Sequence, residues 1–439
     1  MSIHKKTSST IAVGLIASLA LTACSSDGTG DQNGDAAETV NLSLLVDVSD
    51  QSMNIANAVV EAFNESQDGI EMEIESRPGG TDGDNLIKTR LATGEMNDVF
   101  NYNSGSLFAA LDPANNLVAL TDQPFMEGID ETFKTATKSG EDFYGVPFEQ
   151  AMGGGILYNK SVYEDLGLEV PKTWDQFMEN NAKIKEAGID PVIQTYADTW
   201  TSQLFVLADF HNVSAAQPDW AEKYTANEAK FAEQPALRGF ERLQEVYDAG
   251  YLNKDFASAT QSQGMQQLVD GTGAHYPMLT FAISSYVDLA EDAAENIGFF
   301  AQPGDDEGSY GLTAWTPGGF YVPKSTEGAQ LEAVMTFLEF AASPAACDAV
   351  SEATTPNGPY MITECQLPDG LPAAVGDLQQ YFTDGNASPA LEFLSPIKGP
   401  NLEKIAVEVG SGIASAADGA ARYDEDVKKQ AQQLGLEGW

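Results

Sequence analysis

The order of apolar and polar positions after residue 39 predicts a chain that opens with a strand and a helix. Residues 40–48, VNLSLLVDV, form a short run of mainly apolar residues, which is typical of a buried strand. Over residues 53–63 apolar side chains recur every three or four positions, so this stretch predicts a helix with one buried face. Asp50 or Ser52 is expected to cap that helix at its N-terminus.

The same alternation of elements continues to residue 102. Residues 70–76, IEMEIES, alternate between apolar and polar and predict a second strand. The glycines within residues 79–83 predict a loop, residues 85–94 predict a helix that ends at its glycine, and residues 98–102 predict a third strand. The order β-α-β-α-β indicates an α/β domain with a mainly parallel sheet.

Two capping boxes predict helices in the middle of the chain. In Ser161-x-x-Glu164 and in Thr173-x-x-Gln176 a hydroxyl residue stands three positions before an acidic or amide side chain. Trp174 lies on the apolar face of the second predicted helix, so we expect it in the core rather than in a binding site.

The first 24 residues have the pattern of a secretory signal. Lys5 and Lys6 precede an uncharged run over residues 11–23, which is short for a membrane span because a spanning helix needs about 20 apolar residues. Residues 21–24, LTAC, resemble the lipobox of bacterial lipoproteins, in which the cysteine, here Cys24, becomes the first mature residue and carries acyl chains. A buried cysteine within an ordinary signal peptide is the alternative.

This pattern predicts how the chain is held outside the cell. Residues 1–23 are expected to be a lipoprotein signal peptide, and Cys24 is expected to tether the mature chain to the extracellular face of the cell membrane. Residues 24–39 are rich in glycine, serine, aspartate and asparagine and predict a flexible linker. The folded part is expected to begin near Val40.

Length and charge restrict the classes of fold and partner. About 400 residues follow the linker, enough for two or three domains. The net charge is −44, and only 22 lysines and arginines oppose it, which argues against nucleic acid and against anionic ligands. Neutral or cationic ligands fit this charge better, although the solubility of an extracellular protein explains most of the acidity by itself.

Cysteine and histidine usage gives one expected bond and no catalytic motif. Cys347 and Cys365 remain after Cys24, and an even pair in an oxidising compartment predicts one disulfide, with two free buried thiols as the alternative. The chain has three histidines, and it contains neither a zinc-binding spacing nor a nucleophile elbow. No catalytic residue, metal or cofactor is therefore expected, although 66 acidic residues are too many to exclude a carboxylate pair.

Three segments carry a resemblance to a known family. Residues 144–177, YGVPFEQAMGGGILYNKSVYEDLGLEVPKTWDQF, are the most specific, and residues 318–346 are a second landmark. Residues 91–100, LATGEMNDVF, are a third, with Asn97 where the family usually has proline. In these segments the chain resembles the carbohydrate-binding extracellular solute-binding proteins of ABC importers, the maltose-binding-protein-like group. The resemblance covers residues 40 to about 346 and is loose from residue 347 onwards.

The resemblance implies a two-lobed α/β fold of the periplasmic-binding-protein type II class. Each lobe is expected to be a mainly parallel sheet flanked by helices, with the ligand in the cleft between the lobes. Crossings are expected near residues 148–153 and 315–319, where glycines suit a backbone that rotates as the cleft closes. The expected division is 40–150 plus 318–345 for the N-terminal lobe, and 151–317 plus 346–439 for the C-terminal lobe.

The resemblance also implies where a sugar would bind. Sugar sites combine aromatic rings, which stack on pyranose faces, with polar side chains that bond to hydroxyls. The family places such groups after the first strand, after the predicted strand of residues 98–102, at both crossings and in the C-terminal lobe. The residues at those places are Asp47, Tyr102, Asn103, Glu149, Trp200, Phe281 and Trp315.

The resemblance therefore implies a monomeric lipid-anchored receptor that delivers a neutral oligosaccharide to a membrane permease with cytoplasmic ATPase subunits. Three other functions remain open at this point. They are a receptor for peptides or another small solute, an extracellular glycoside-active enzyme with a carboxylate pair, and an adhesin without a small ligand.

Overall fold

The computed structural model describes residues 39–287, 289–290 and 292–439, and Thr39–Trp439 forms one compact unit. The expected signal peptide, Cys24 and all but the last residue of the expected linker lie outside the described residues. The strands are β1 (Val40–Asp47), β2 (Ile70–Arg77), β3 (Val99–Tyr102), β4 (Lys138–Ser139), β5 (Asp142–Phe143), β6 (Val146–Pro147), β7 (Met152–Asn159), β8 (Asp190–Val192), β9 (Gly273–Leu279), β10 (Ile297–Ala301), β11 (Leu312–Trp315), β12 (Gly319–Tyr321) and β13 (Ala387–Pro389).

The helices alternate with these strands. They are α1 (Asp50–Ser66), α2 (Gly80–Thr93), α3 (Gly105–Ala109), α4 (Pro113–Asn116), α5 (Glu131–Ala136), α6 (Lys160–Leu166), α7 (Trp174–Glu186), α8 (Leu204–Leu207), α9 (Phe210–Ala216), α10 (Trp220–Thr225), α11 (Leu237–Asp248), α12 (Gln261–Val269), α13 (Ala293–Asn296), α14 (Gly328–Ala341), α15 (Pro344–Ala353), α16 (Ala373–Thr383), α17 (Leu402–Gly410) and α18 (Ala416–Gln433).

The first lobe is built on a five-stranded sheet in the order β2-β1-β3-β12-β6. Its first three strands are parallel, and β12 runs antiparallel to both β3 and β6. Successive residues of β1 point to opposite faces, so Val46 lies in the core under α1 and α14, whereas Leu45 lies in the core with Phe100. Apolar cores therefore cover both faces, as a largely apolar strand requires.

The second lobe is built on a six-stranded sheet in the order β13-β11-β7-β9-β8, with β10 also paired to β7. Here β7 is antiparallel to β9, β10 and β11, and only the outer pairs β8–β9 and β11–β13 are parallel. Neighbouring residues of β7 again serve two cores, since Ile156 lies in one and Leu157 in the other.

The two-lobed α/β class is confirmed; the first sheet is mainly parallel, as expected, whereas the second is mainly antiparallel. In the first sheet only β12, which enters from the second sheet, is reversed; β6 runs in the same direction as β1, β2 and β3. In the second sheet β7 enters at the centre and pairs antiparallel with three strands. The predicted order of strands and helices along the chain does not give the direction in which each strand runs within its sheet.

The chain passes between the sheets three times. Residues 148–151 join β6 to β7, residues 316–318 join β11 to β12, and residues 354–372 join α15 to α16. The segments are bonded side by side, because the Phe148 N–H donates to the Gly318 carbonyl at 2.9 Å and the Ala151 N–H donates to the Pro359 carbonyl at 2.8 Å.

The third crossing changes the expected division of the chain. The boundaries at 150/151 and 317/318 fall within the first two crossings, but the boundary at 345/346 is too early. Helix α15 packs on α1, and its Cys347 and Val350 lie in the core of the first lobe. The first apolar residues of this tail that pack on a core of the second lobe are Leu367 and Leu371, just before α16. Cys347 is joined to Cys365 in a disulfide with a Cα–Cα distance of 6.0 Å.

The predicted helix caps agree with the structure at α7 and differ from it at other helices. The capping box of Thr173 and Gln176 is present, and Trp174 is buried with its indole N–H bonded to Glu245. Other caps lie elsewhere. Ser49 caps α1 in place of Asp50 or Ser52, and Asn159 caps α6 in place of Ser161. Helix α2 begins at Gly80, where a loop was expected.

The glycines expected to be hinges have a different physical reason. Gly154 lies within β7, and a Cβ there would stand 2.3 Å from a ring carbon of Trp315. It is therefore the close approach of an indole ring that requires glycine at this position. Among the described residues no single helix is long and apolar enough to cross a membrane, and the bent pair of α14 and α15 meets the requirement by length and composition only.

Candidate functional site

The carboxyl ends of the parallel strands form one edge of the first sheet. In the parallel register of β1 and β2 Asp47 stands opposite Arg77, and β3 ends nearby at Tyr102. Ligands of open α/β sheets bind outside this edge, because the loops that follow the strands leave a crevice there. The adjacent strands β1 and β3 therefore end at two of the predicted site residues, Asp47 and Tyr102, on the same edge of the first sheet.

Asp47 is a partly buried carboxylate that the start of α1 holds in place. It accepts hydrogen bonds from the Ser49 N–H at 2.9 Å and from the Ser52 hydroxyl at 2.7 Å. Burial by itself raises the pKa of Asp47, but these hydrogen bonds and the charge of Arg77 outweigh burial and lower the pKa below its ordinary value. The group is therefore ionised at neutral pH and fixed as a hydrogen-bond acceptor.

Arg77 is the cation of this edge. Only 5% of it is exposed, and one of its terminal nitrogens donates to the Asn101 carbonyl at 3.3 Å. Its guanidinium stands 5.7 Å from the centre of the Tyr102 ring. A Cβ at Gly83, in the first turn of α2, would stand 2.0 Å from the Pro78 carbonyl oxygen and 2.6 Å from the Arg77 side chain, so glycine there makes room for both.

Tyr102 presents no free ring face in this structure. Its exposed fraction is 1%, its ring faces Arg77, and its hydroxyl donates to the Asp84 carboxylate at 3.0 Å. Burial and the neighbouring charge of Asp84 raise the pKa of Tyr102 well above its ordinary value. The next residue, Asn103, is exposed at the end of the strand, and its carbonyl accepts from the Tyr321 hydroxyl at 3.2 Å.

Glu149 lies on the first crossing and faces α1. The Gln51 amide donates to its carboxylate at 3.1 Å. Burial, and then the charge of Asp47, raise the pKa of Glu149 to about 7, although a hydrogen bond from the Gly318 N–H opposes the rise. Asp47 is therefore fixed as an anion, and its charge acts on Glu149, which titrates near neutral pH.

The predicted aromatic residues of the second lobe form a pair. Trp200 lies in the 3₁₀ turn Thr199–Gln203 and Phe281 in the 3₁₀ turn Thr280–Ser285, and their ring centres are 5.7 Å apart. Both rings are partly buried. The Thr280 hydroxyl accepts from the Gly153 N–H at 3.0 Å, which places this turn beside the crossing that carries Glu149.

Trp315 belongs to the interior of the second lobe in this structure. It is 6% exposed, its ring covers Gly154, and it lines an apolar cavity together with Phe210 and Tyr423. A ring in this position contributes packing, and it offers little surface to a ligand. The structure thus separates Trp315 from the predicted ligand-binding set.

A cavity of about 450 Å³ lies between the lobes. Ser106 and Leu107 of α3 line it from the first lobe, and Gln203 and Glu403 line it from the second. Gln203 ends the turn that carries Trp200, so the cavity and the aromatic pair share one element. Its volume lies within the range of ordinary small-molecule sites.

Gln51, Arg77 and Asp84 were not predicted from the sequence as site residues. Only Gln51 left a usable signal, because it follows Asp47 by four positions at the predicted start of a helix. Arg77 and Asp84 act through contacts with β3, which is distant in sequence. Among the residues that the structure describes, no group of three or more histidine, cysteine, aspartate or glutamate side chains is placed to hold a metal ion.

The raised pKa of Glu149 predicts a pH-dependent stability. The folded chain holds this proton up to about pH 7, whereas an unfolded glutamate releases it near pH 4.5, so ionisation of Glu149 opposes folding increasingly over this interval. We expect Glu149→Gln to gain about 1–2 kcal/mol of unfolding free energy relative to wild type between pH 5 and pH 8. Urea unfolding at each pH measures this difference.

The matched control is Glu141→Gln, which changes an exposed carboxylate of the same lobe. Its difference from wild type is expected to be flat across the same pH range. A difference for Glu149→Gln that does not change with pH would contradict the assignment of the raised pKa.

Comparisons with known proteins agree with the fold. A solved chitin oligosaccharide binding protein superposes with a TM-score of 0.73 at 21% identity, covering 90% of this chain and 99% of that one. The multiple sugar-binding protein of Streptococcus mutans is 25% identical over 264 residues, which are 58% of this chain and 60% of that protein. The melibiose/raffinose/stachyose-binding protein MelE of Bacillus subtilis is 22% identical over 394 residues, 82% of this chain and 83% of that protein.

The family model described as bacterial extracellular solute-binding protein matches residues 49–346, which is more than half of the chain. The two lobes, the crossings between them and the crevice at the carboxyl edge of the first sheet agree with this match. This chain belongs to the bacterial extracellular solute-binding proteins.

Proposed function

We propose that this protein is the substrate-binding lipoprotein of an ABC importer, which captures a neutral oligosaccharide outside the membrane and delivers it to the permease. It catalyses no reaction itself. The observation that carries the proposal is the paired rings of Trp200 and Phe281 beside the crossing that holds Glu149. Aromatic faces next to fixed hydrogen-bonding groups are what a sugar ring requires.

The polar groups near this pair suit a neutral ligand. Asp47 and Glu149 offer carboxylate oxygens to hydroxyl donors, and the Gln51 amide bonds to one of these carboxylates. The net charge of −44 disfavours anionic solutes. The names of the two relatives in Streptococcus mutans and Bacillus subtilis refer to sugars and support the same ligand class.

The proposed anchor at Cys24 accounts for retention at the cell surface. Residues 21–24 have the lipobox pattern, and two or more acyl chains hold a protein stably on a membrane. Mass spectrometry of the protein extracted from membranes tests the anchor. A diacylglycerol mass on Cys24 is expected, and an unmodified cysteine in that fraction would exclude it.

Thermal unfolding of residues 39–439 against a panel of neutral oligosaccharides tests the proposed ligand class. The panel contains melibiose, raffinose, stachyose and chitin oligosaccharides. A sugar at 100 times its dissociation constant is expected to stabilise the chain by about 2.7 kcal/mol. Chromatography of the sugar afterwards shows whether it was cleaved.

Each other result has a definite meaning. A cleaved sugar would identify the protein as a glycoside-active enzyme. A thermal shift with peptides alone would identify it as a peptide receptor. The absence of a shift with every small solute would favour an adhesin. Recovery of an intact sugar after a clear shift is the expected result.

Two tryptophan variants locate the site within the same assay. Trp200→Ala is expected to weaken sugar binding by about 1–3 kcal/mol, because it removes a partly buried ring of the aromatic pair. Trp315→Ala is expected to lower the unfolding free energy by about 3–5 kcal/mol, since Trp315 is a core residue. Trp200→Phe keeps a ring and is the rescue variant. Wild-type affinity in Trp200→Ala would exclude the aromatic pair from the site.

A further inference from the structure

The two lobes touch beside the cavity between them, at a glycine. Gly105 opens α3 of the first lobe with a φ of +68°, and it lies against the 3₁₀ turn Leu391–Phe393 of the second lobe. A Cβ at Gly105 would stand 2.7 Å from the Glu392 carbonyl oxygen and 2.7 Å from a ring carbon of Phe393. Both distances are shorter than van der Waals contact allows, so the contact requires a residue without a side chain.

The first lobe holds its side of this contact firmly. The Ser104 hydroxyl, directly before Gly105, donates to the Pro317 carbonyl at 2.7 Å and lies 3.0 Å from the Thr316 hydroxyl. Phe108, one turn later, is buried and stacks on Tyr321 with ring centres 5.2 Å apart. The start of α3 therefore cannot move back without breaking contacts to the second crossing and to the core.

The second lobe holds the facing turn in the same way. Leu391 packs against the apolar core of that lobe, and the Glu392 carboxylate forms an ion pair with Lys398 at 3.0 Å. The atom of Glu392 that faces Gly105 is a backbone oxygen, so no change of side-chain rotamer can clear it. A side chain at residue 105 would therefore have to separate the lobes.

We propose that Gly105 determines ligand affinity by allowing α3 to contact the turn Leu391–Phe393 when the lobes close. The inference rests on the proposed function for the ligand, but the contact itself can be measured without one. Glu392 lines the cavity between the lobes together with Ser106 and Leu107, so this contact stands at the wall of the space that closure would seal. Affinity falls in proportion to the population of the closed form, because only that form holds the ligand from both sides.

The test is Gly105→Ala, compared with Gly140→Ala. Gly140 lies in the first lobe at a φ of +62°, and a Cβ there meets no atom within 4 Å. Both variants therefore carry the same backbone strain, but only the first places an atom between the lobes. Phe393→Ala is a third variant, which removes the ring from the contact without changing the backbone at residue 105.

Spin labels on the two lobes report the contact directly. Thr89→Cys in α2 and Lys429→Cys in α18 are exposed and lie next to Lys88 and Gln430, which line the cavity from opposite lobes. Pulsed electron resonance on residues 39–439 then gives the distance distribution, with and without raffinose as the probe. We expect a short-distance population in wild type and in Gly140→Ala, and its loss in Gly105→Ala.

Measurement of the dissociation constant for raffinose gives the size of the effect on affinity. A tenfold fall in the closed population is expected to raise the dissociation constant for raffinose about tenfold in Gly105→Ala, and to raise it by less in Phe393→Ala. Loss of the short distance in Gly105→Ala alone supports the inference even if raffinose does not bind, and that failure then counts against the proposed ligand. Identical distance distributions in Gly105→Ala and wild type would overturn the inference.

Discussion

The fold depends on three crossing segments that hydrogen bonds hold side by side. The first crossing is bonded to the second through the Phe148 N–H and to the third through the Ala151 N–H. These backbone bonds join segments that all run between the two lobes, so the crossings connect the lobes as one unit while each lobe retains its own cores. The same segments carry the chemistry, since Glu149 lies on the first crossing and Gly318, whose N–H bonds to it, lies on the second. A motion of one lobe against the other therefore acts directly on the candidate site.

The site combines fixed groups with one adjustable charge. Asp47 is held as an anion by the start of α1, and its charge, together with burial, raises the pKa of Glu149 to about 7. Neighbouring carboxylates whose pKa values are driven apart are also found in enzymes, where they divide acid and base roles. Here Gln51 donates to Glu149, so one of the two carboxylates is already occupied by a neutral donor of the same lobe. This arrangement suits hydrogen bonding to a polar ligand, with the rings of Trp200 and Phe281 nearby.

Local sequence signals predicted the elements well, and contacts between distant segments explain most of what they missed. The apolar run of β1, the four-residue recurrence of α1 and the capping box at Thr173 depend on neighbours in the chain, and the structure contains all three elements. Tyr102 and Trp315 were candidate stacking residues, but each contacts a residue that is distant in sequence. The Tyr102 hydroxyl bonds to Asp84, and the Trp315 ring lies against Gly154. The third crossing was missed for a similar reason. It consists of loop residues whose place is fixed by a bond to Ala151, and no periodic pattern reports such a bond.

Small-angle scattering of residues 39–439 tests the central claim, that this is a receptor whose lobes close around a neutral oligosaccharide. The measurement compares the chain alone with the chain saturated by the sugar that stabilises it most. We expect a smaller radius of gyration with the sugar, because the crossings act as the hinge and the cleft closes. An unchanged radius of gyration in the presence of a tightly bound, intact sugar would contradict it.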